Sequence, residues 1–323
     1  MRTDALLLGT VIENHGALFD VLVEDRVVRC LLRGKLKKDK RRQVAPIAAG
    51  DRVELTLLEQ GRAVIERVLP RDTDLSRRAA GSEPLQQTLV ANVDQAVIVF
   101  AAAEPRPDLF MLDRFLVAAV AAGVQPLVCI NKCDLVPGGR EATDDEESVD
   151  HSRQDMVDGG LLHAQFAVYR HCRFRMLFTS ATLGVGLDEL KEALHDRRSV
   201  ICGPSGVGKS SLLNAIAPGL RLRTTEVGGV THKGRHTTTS IAFLQLPFGG
   251  WVADTPGLRQ LGLWEVTPDQ LAAAFPDLQP YLGRCHYSNC SHRHEQGCAL
   301  REAAEAGDVD GRRLRSYRQM GGR

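Results

Sequence analysis

The spacing of hydrophobic residues changes character twice along the chain. Over the first seventy or so residues, apolar and polar positions alternate in five short runs, 9–12, 19–23, 27–32, 51–57 and 63–68, separated by Gly and charged turns. A period of two with turn residues between the runs predicts a small antiparallel sheet. Five strands of this length suit an OB-like β-barrel, with a generic β-module as the competing reading. From about 89 to 262 the apolar runs become continuous, at 95–100, 126–130, 175–178, 199–202 and 250–253, and helical spacing appears over 109–122, 186–194 and 209–217. Unbroken apolar strands alternating with helices predict a doubly wound, largely parallel sheet covered on both faces. Residues 138–160 are rich in Asp, Glu, Ser and Gly with little apolar content, and predict a disordered insertion. Beyond 267 the pattern breaks into short helices around a Cys/His cluster. The expected architecture is multidomain α/β: a barrel over 1–72, a linker over 73–88, the α/β domain over 89–264 and an α-rich, metal-binding domain over 265–323.

Composition narrows the function classes. At 43% hydrophobic and 25% charged residues, the chain is that of an ordinary globular protein. The apolar stretches 96–103 and 115–130 are too short or too interrupted to span a bilayer, and the first residues lack a signal-type apolar run. No membrane partner is expected, and a cytoplasmic monomer is. The net charge of +1 predicts no polyanion partner for the molecule as a whole, so any nucleic-acid surface must be local. One such place is 33–42, where seven cations fall in ten residues. Either it is a solvated loop or it contacts a phosphate backbone, and the lack of aromatics there points to electrostatic docking over base stacking. Of eight cysteines, Cys30, Cys129, Cys133, Cys172 and Cys202 sit mostly in apolar runs and are expected to be reduced core thiols.

The chemistry lies in four short motifs. Gly203-Pro204-Ser205-Gly206-Val207-Gly208-Lys209-Ser210 follows an apolar strand and opens a helix that continues with Ser211. That is the setting of a P-loop, in which backbone N–H groups at a helix N-terminus wrap a phosphate. Lys209 supplies a catalytic cation for the β/γ oxygens and Ser210 a hydroxyl for Mg²⁺. Asn131-Lys132-Cys133-Asp134, directly after another strand, selects guanine. The Asp134 carboxylate can accept from N1–H and the exocyclic amine, which adenine cannot offer. Asn131 braces the site and the Lys132 stem covers the base. Ser180-Ala181, after the next strand, resembles the loop whose amide contacts guanine O6. Asp254-Thr-Pro-Gly257 matches the Asp-x-x-Gly element, with Asp254 holding Mg²⁺ through water and the Gly257 amide sensing the γ-phosphate.

Between the P-loop and Asp254, Thr237, Thr238 and Thr239 occupy the switch I interval. One of them is expected to ligate Mg²⁺, with Thr238 the position taken. Ras-like enzymes place a Gln after the Asp-x-x-Gly glycine to orient the attacking water. Here that position is Leu258, so His236 becomes the candidate, unless it only shapes switch I. Cys285-x4-Cys290-x-His292-x5-Cys298 supplies a closed Cys₃His shell suited to one structural Zn²⁺, with His286 and His294 as lesser alternatives.

The motifs are rotated: the base-recognition pair precedes the P-loop, whereas ordinary G proteins run the other way. This order, the Gly-Arg-His-Thr-Thr-Thr stretch at 234–239, the Cys₃His spacing and the Gln87…Ala91-Asn92-Val93-Asp94 entry resemble the ribosome small-subunit-dependent GTPase A family, circularly permuted GTPases, over nearly the whole chain. The resemblance implies a late assembly factor that binds the 30S subunit and its 16S rRNA, hydrolyses GTP to GDP with rRNA-stimulated turnover, and helps clear other 30S assembly factors. A nucleotide-gated RNA- or ribosome-binding protein with incidental hydrolysis is the alternative. Rotation also sends switch II straight into the C-terminal region, which suggests a route from nucleotide state to that region. The cations at 33–42, Arg284, Arg293 and the tail arginines Arg312, Arg313, Arg315 and Arg318 are the expected rRNA clamps.

Overall fold

The computed structural model describes residues 6–34, 47–58, 62–78, 86–136, 160–220, 241–254 and 266–322. The cations at 35–42, all but the last residue of the acidic insertion expected over 138–160, and His236, Thr238, Gly257 and Leu258 lie outside the described residues.

The alternating N-terminal runs form strands β1 (Leu7–Asn14), β2 (Leu18–Val23), β3 (Arg26–Leu32), β4 (Arg52–Leu57) and β5 (Arg62–Val68). They pair in the cyclic order β1-β2-β3-β5-β4-β1, antiparallel except for β3 with β5. This closed five-stranded sheet is the expected OB-like barrel. Its interior is filled by one face of each strand, including Val11, Phe19, Val21, Cys30, Val53, Leu55 and Ile65. Burial pushes the Cys30 thiol up to about 11, which keeps it protonated and inert.

The α/β region contributes β8 (Gln95–Ala101), β9 (Gln125–Asn131), β10 (Arg175–Phe178), β11 (Arg198–Cys202), β12 (Ala242–Gln245) and β13 (Trp251–Asp254). Its helices are α1 (Leu109–Ala121), α2 (Gly160–His171), α3 (Leu187–Leu194) and α4 (Lys209–Ile216). The spatial order is β10-β9-β8-β11-β13-β12, parallel except for the edge strand β12. The chain enters at β8, runs outward to β10, then returns to lay β11 against β8. Strand β8 is buried on both faces. Ala96, Ile98 and Phe100 enter one core, and Val97, Val99 and Ala101 the other. That double burial is why β8 reads as an unbroken apolar run. At the far edge β12 meets barrel strand β1 through Glu13 opposite Ala242, so barrel and α/β sheet are continuous over eleven strands.

Across the stretch expected to be a linker, 73–88, and three residues past it, β6 (Asp74–Arg78) and β7 (Gln86–Ala91) pair as an antiparallel ribbon. Arg71 anchors it. Its Nε and Nη2 donate to the fully buried Asp51 at 2.7 and 2.9 Å, and its Nη1 to Asp74 at 2.8 Å and Thr88 at 2.7 Å. Asn92 completes the junction, accepting from the Asp72 amide and donating to the Gly50 carbonyl.

The C-terminal region adds α5 (Pro268–Ala273), α6 (Ala299–Ala306) and α7 (Gly311–Gln319). A capping box starts α5: Thr267 Oγ1 accepts from the Gln270 amide while the Gln270 side chain takes the Thr267 amide. Leu271, Phe275, Leu278, Leu300, Leu314 and Tyr317 form a separate core, which α1 joins through Val117. No described helix is long and apolar enough to cross a membrane.

Removing one partner of a buried, hydrogen-bonded charge network leaves the other charge stranded. Arg71→Met should therefore cost about 3–5 kcal/mol in denaturant unfolding. Arg29→Met, which breaks the exposed pair with Asp20, should cost under about 1 kcal/mol.

Candidate nucleotide site and metal centre

Three loops converge at the carboxyl ends of β8, β9, β10 and β11, where the sheet's strand order reverses. In open α/β sheets this is where ligands bind. The P-loop runs from Gly203 to Gly208, between β11 and α4. Gly203 adopts φ +135°, and a Cβ there would lie 2.1 Å from the Val99 carbonyl oxygen on β8. Gly208 adopts φ +93°, and a Cβ there would lie 2.3 Å from Asn131 Nδ2. Both positions demand glycine, for the turn and for the close approach. Lys209 Nζ donates to the carbonyls of Gly203 at 2.9 Å and Pro204 at 2.5 Å, so the ammonium lies over the loop. Ser205, Gly206, Ser210 and Ser211 are exposed at its mouth.

Asn131 holds the loops together. Its Nδ2 donates to the Val207 carbonyl at 2.9 Å, and its Oδ1 accepts from Thr179 Oγ1 at 3.2 Å and the Ala181 amide at 3.3 Å. Lys132 takes the left-handed conformation, φ 61°, and its Nζ donates to the Glu104 carbonyl at 2.6 Å. Asp134 accepts from the Ser180 hydroxyl at 2.6 Å, which orients the carboxylate. Cys133 turns inward to the Ile130 carbonyl, and burial pushes its thiol up to about 12. These loops thus bring Asn131, Lys132, Asp134, Ser180, Ala181 and the 203–211 segment together at the carboxyl end of the sheet. Asp254 ends β13, opposite Ala242 of β12, one strand away from the P-loop strand.

Sequence reasoning missed the segment 103–108, which bears on the site from the side. Glu104 receives Lys132, and Pro105 Cδ lies 3.7 Å from where a Gly206 Cβ would be. The Glu104 contact is through a backbone carbonyl, which no side-chain pattern announces.

In the C-terminal region the ligand atoms of Cys285, Cys290, His292 and Cys298 all lie within 4.8 Å of one another. His292 Nδ1 is 3.4 Å from Cys285 Sγ and 3.5 Å from Cys298 Sγ. Metal–ligand bonds of about 2.0–2.3 Å in a tetrahedron give ligand separations of this size. Three soft thiols with one imidazole form a donor set that suits Zn²⁺. The loop carrying His292 is tied by Glu295, whose carboxylate accepts from the Ser291 amide and hydroxyl and from the amides of Arg293 and His294. Those bonds hold Glu295 well below the usual carboxylate range. His286 and His294 are exposed and stand apart from the cluster.

Family models match both main parts of the chain: one for the RsgA GTPase over residues 68–264, one for the RsgA N-terminal domain over residues 8–65. The chain belongs to the RsgA GTPase family. Membership makes it a GTP hydrolase with permuted motifs. A Moorella thermoacetica relative described as a small ribosomal subunit biogenesis GTPase RsgA is 43% identical over 309 residues, covering 96% of this chain and 94% of the relative. A Gemmatimonas aurantiaca relative of the same description is 40% identical over 312 residues, covering 96% and 94%. Among solved structures, YjeQ from Thermotoga maritima superposes with a TM-score of 0.73 at 33% identity, covering 98% of this chain and 97% of that one. YloQ, described as a circularly permuted GTPase, gives 0.68 at 28% identity, covering 99% and 96%.

One expectation fails. Arg313, counted among the cations facing RNA, is only 1% exposed and bonds to Asp113 and Asp277 inside the protein. Arg312 is turned onto Asp310, the N-cap of its own helix.

Gly208→Ala should displace Asn131 and force a strained φ, costing about 1–3 kcal/mol locally. Titration with a fluorescent GDP should show affinity lowered by about tenfold or more. Unchanged affinity would mean that the Asn131–Val207 bond does not hold the loop.

Proposed function

We propose that this RsgA-family GTPase acts in small ribosomal subunit biogenesis, binding the 30S subunit through 16S rRNA in a nucleotide-dependent way, with rRNA-stimulated GTP hydrolysis. The observation that carries this reading is identity over nearly the full length of relatives so described, in a chain that joins a barrel, a rotated motif order and a Cys₃His cluster. Such a protein works in the cytoplasm, as a monomer that meets other assembly factors on the subunit.

In this reading Asp134 pairs with guanine N1–H and the exocyclic amine, with Ser180 orienting it and the Ala181 amide meeting O6. The 203–211 segment binds the phosphates, and Lys209 offsets charge developing on the β/γ oxygens. Ser210 and Thr238 would hold Mg²⁺, with Asp254 reaching it through water and Gly257 sensing the γ-phosphate. The ion would supply further neutralisation of phosphate charge. His236 orients the attacking water where Leu258 cannot. Cys285, Cys290, His292 and Cys298 hold one structural Zn²⁺ that stabilises the C-terminal region.

Co-sedimentation with 30S subunits should be stronger with a non-hydrolysable GTP analogue than with GDP, should weaken as salt rises, and should accompany GTPase stimulation. A flat turnover rate would instead favour a nucleotide-gated binder with incidental hydrolysis. His236→Ala should bind GTP normally and lose most of the stimulated rate. Asp134→Asn should weaken GDP binding roughly 100-fold or more while improving binding of xanthosine diphosphate. Xanthine carries a C2 carbonyl that an Asn amide can donate to.

A further inference from the structure

Helix α1 leaves the nucleotide site and packs against the C-terminal region, which holds it one turn in, at Asp113, and at its C-terminal end. Near its start, Asp113, 2% exposed, receives Arg313 Nη1 from α7. Tyr169 of α2 donates to the same carboxylate at 2.9 Å. At its end, Gln270 Nε2 of α5 donates to the Ala121 carbonyl at 3.1 Å. Between them Val117 enters the C-terminal core. Arg313 is also held on its own side, by Asp277 at 2.9 Å and the Ala274 carbonyl at 3.1 Å. Its guanidinium lies 4.1 Å from the Phe275 ring centroid and 5.3 Å from that of Tyr169.

Burying a guanidinium and two carboxylates contributes little net stability, because desolvation offsets the attraction. Burial pushes the Asp113 carboxyl up, against the pull of Arg313, Ser316 and Tyr169. What such a cluster supplies is one fixed geometry between the parts it joins.

The segment 103–108 leads directly into the N-terminus of α1. There Asp108 caps the helix through the Met111 amide, Glu104 receives Lys132, and Pro105 sits beside Gly206. A shift of α1 therefore reaches the base-covering lysine and the P-loop without passing through switch II.

We propose that Arg313 is a positioning residue for the guanine half of the nucleotide site, coupling the C-terminal region to nucleotide affinity through α1 and the 103–108 segment. The base and its neighbouring phosphates are common to GDP and GTP. Coupling by this route changes both affinities by the same factor, whereas coupling through switch II would change their ratio. By linkage, a partner that loads the C-terminal region would alter nucleotide affinity equally.

The test uses the full chain. Fluorescent GDP and a non-hydrolysable GTP analogue are titrated into Arg313→Lys, and into the triple variant Asp113→Leu, Arg313→Met and Asp277→Asn, which replaces the cluster by neutral side chains and keeps no buried charge unpaired. Dissociation constants for both nucleotides should rise together, on the order of tenfold, with their ratio and the saturated turnover unchanged. Leu300→Ala, which opens a cavity in the C-terminal core at α6, should lower the melting temperature and leave both constants near the parent values. Three results would overturn the proposal: parental affinities in both Arg313 variants, a changed GDP-to-GTP ratio, or a Leu300→Ala shift as large as that of Arg313→Lys.

Discussion

The side-chain amide of Asn131 fastens together three loops that are distant in the chain. Its nitrogen carries the Val207 carbonyl of the P-loop, and its oxygen collects Thr179 and the Ala181 amide. A rotated motif order needs such a tie. The base half and the phosphate half are made in reverse sequence, and the β8–β11 pairing and this amide help bring them edge to edge. Both amide groups are used, and the residue is 1% exposed, so no alternative rotamer satisfies its neighbours. The glycine at 208 follows from the same contact, since nothing larger fits beside the amide.

Both junctions flanking the α/β domain are built alike. Arg71 bridges Asp51 of the barrel to Asp74 and Thr88 of the ribbon, and Arg313 bridges Asp113 of α1 to Asp277. A planar guanidinium presents donors in fixed directions, so one arginine between two carboxylates sets an angle as well as a distance. Orientation in this protein thus rests on one buried and one half-buried cation, with apolar surface such as Val117 filling in at the second junction.

The parts legible in the sequence were those written in side-chain periodicity or in short contiguous motifs. The five barrel strands, the buried run of β8 and the P-loop fall in the first group, because period and spacing are local properties. The Cys₃His cluster was legible too, since its four ligands lie within fourteen positions. Contacts between distant residues left no local trace. Arg313 in a helix with Arg312, Arg315 and Arg318 has the composition of a solvated face. Only packing against α1 reveals that one of the four turns inward. The β6–β7 ribbon lacks a strong apolar alternation because Arg71 and Thr88 replace hydrophobic contacts at its base. Helix α2 starts at Gly160, where the chain still has the composition of the preceding polar stretch.

The meeting of β1 with β12 has a meaning for solubility. A twisted α/β sheet ends in strands whose free N–H and C=O groups invite pairing with another molecule. On the β12 side, the barrel occupies part of that edge, and because its own strands close on themselves it does not pass the liability on. The barrel therefore serves as a stopper for the sheet, quite apart from anything it binds. A fragment lacking it would carry a newly opened β12 edge, and self-association of such a fragment would report on that edge.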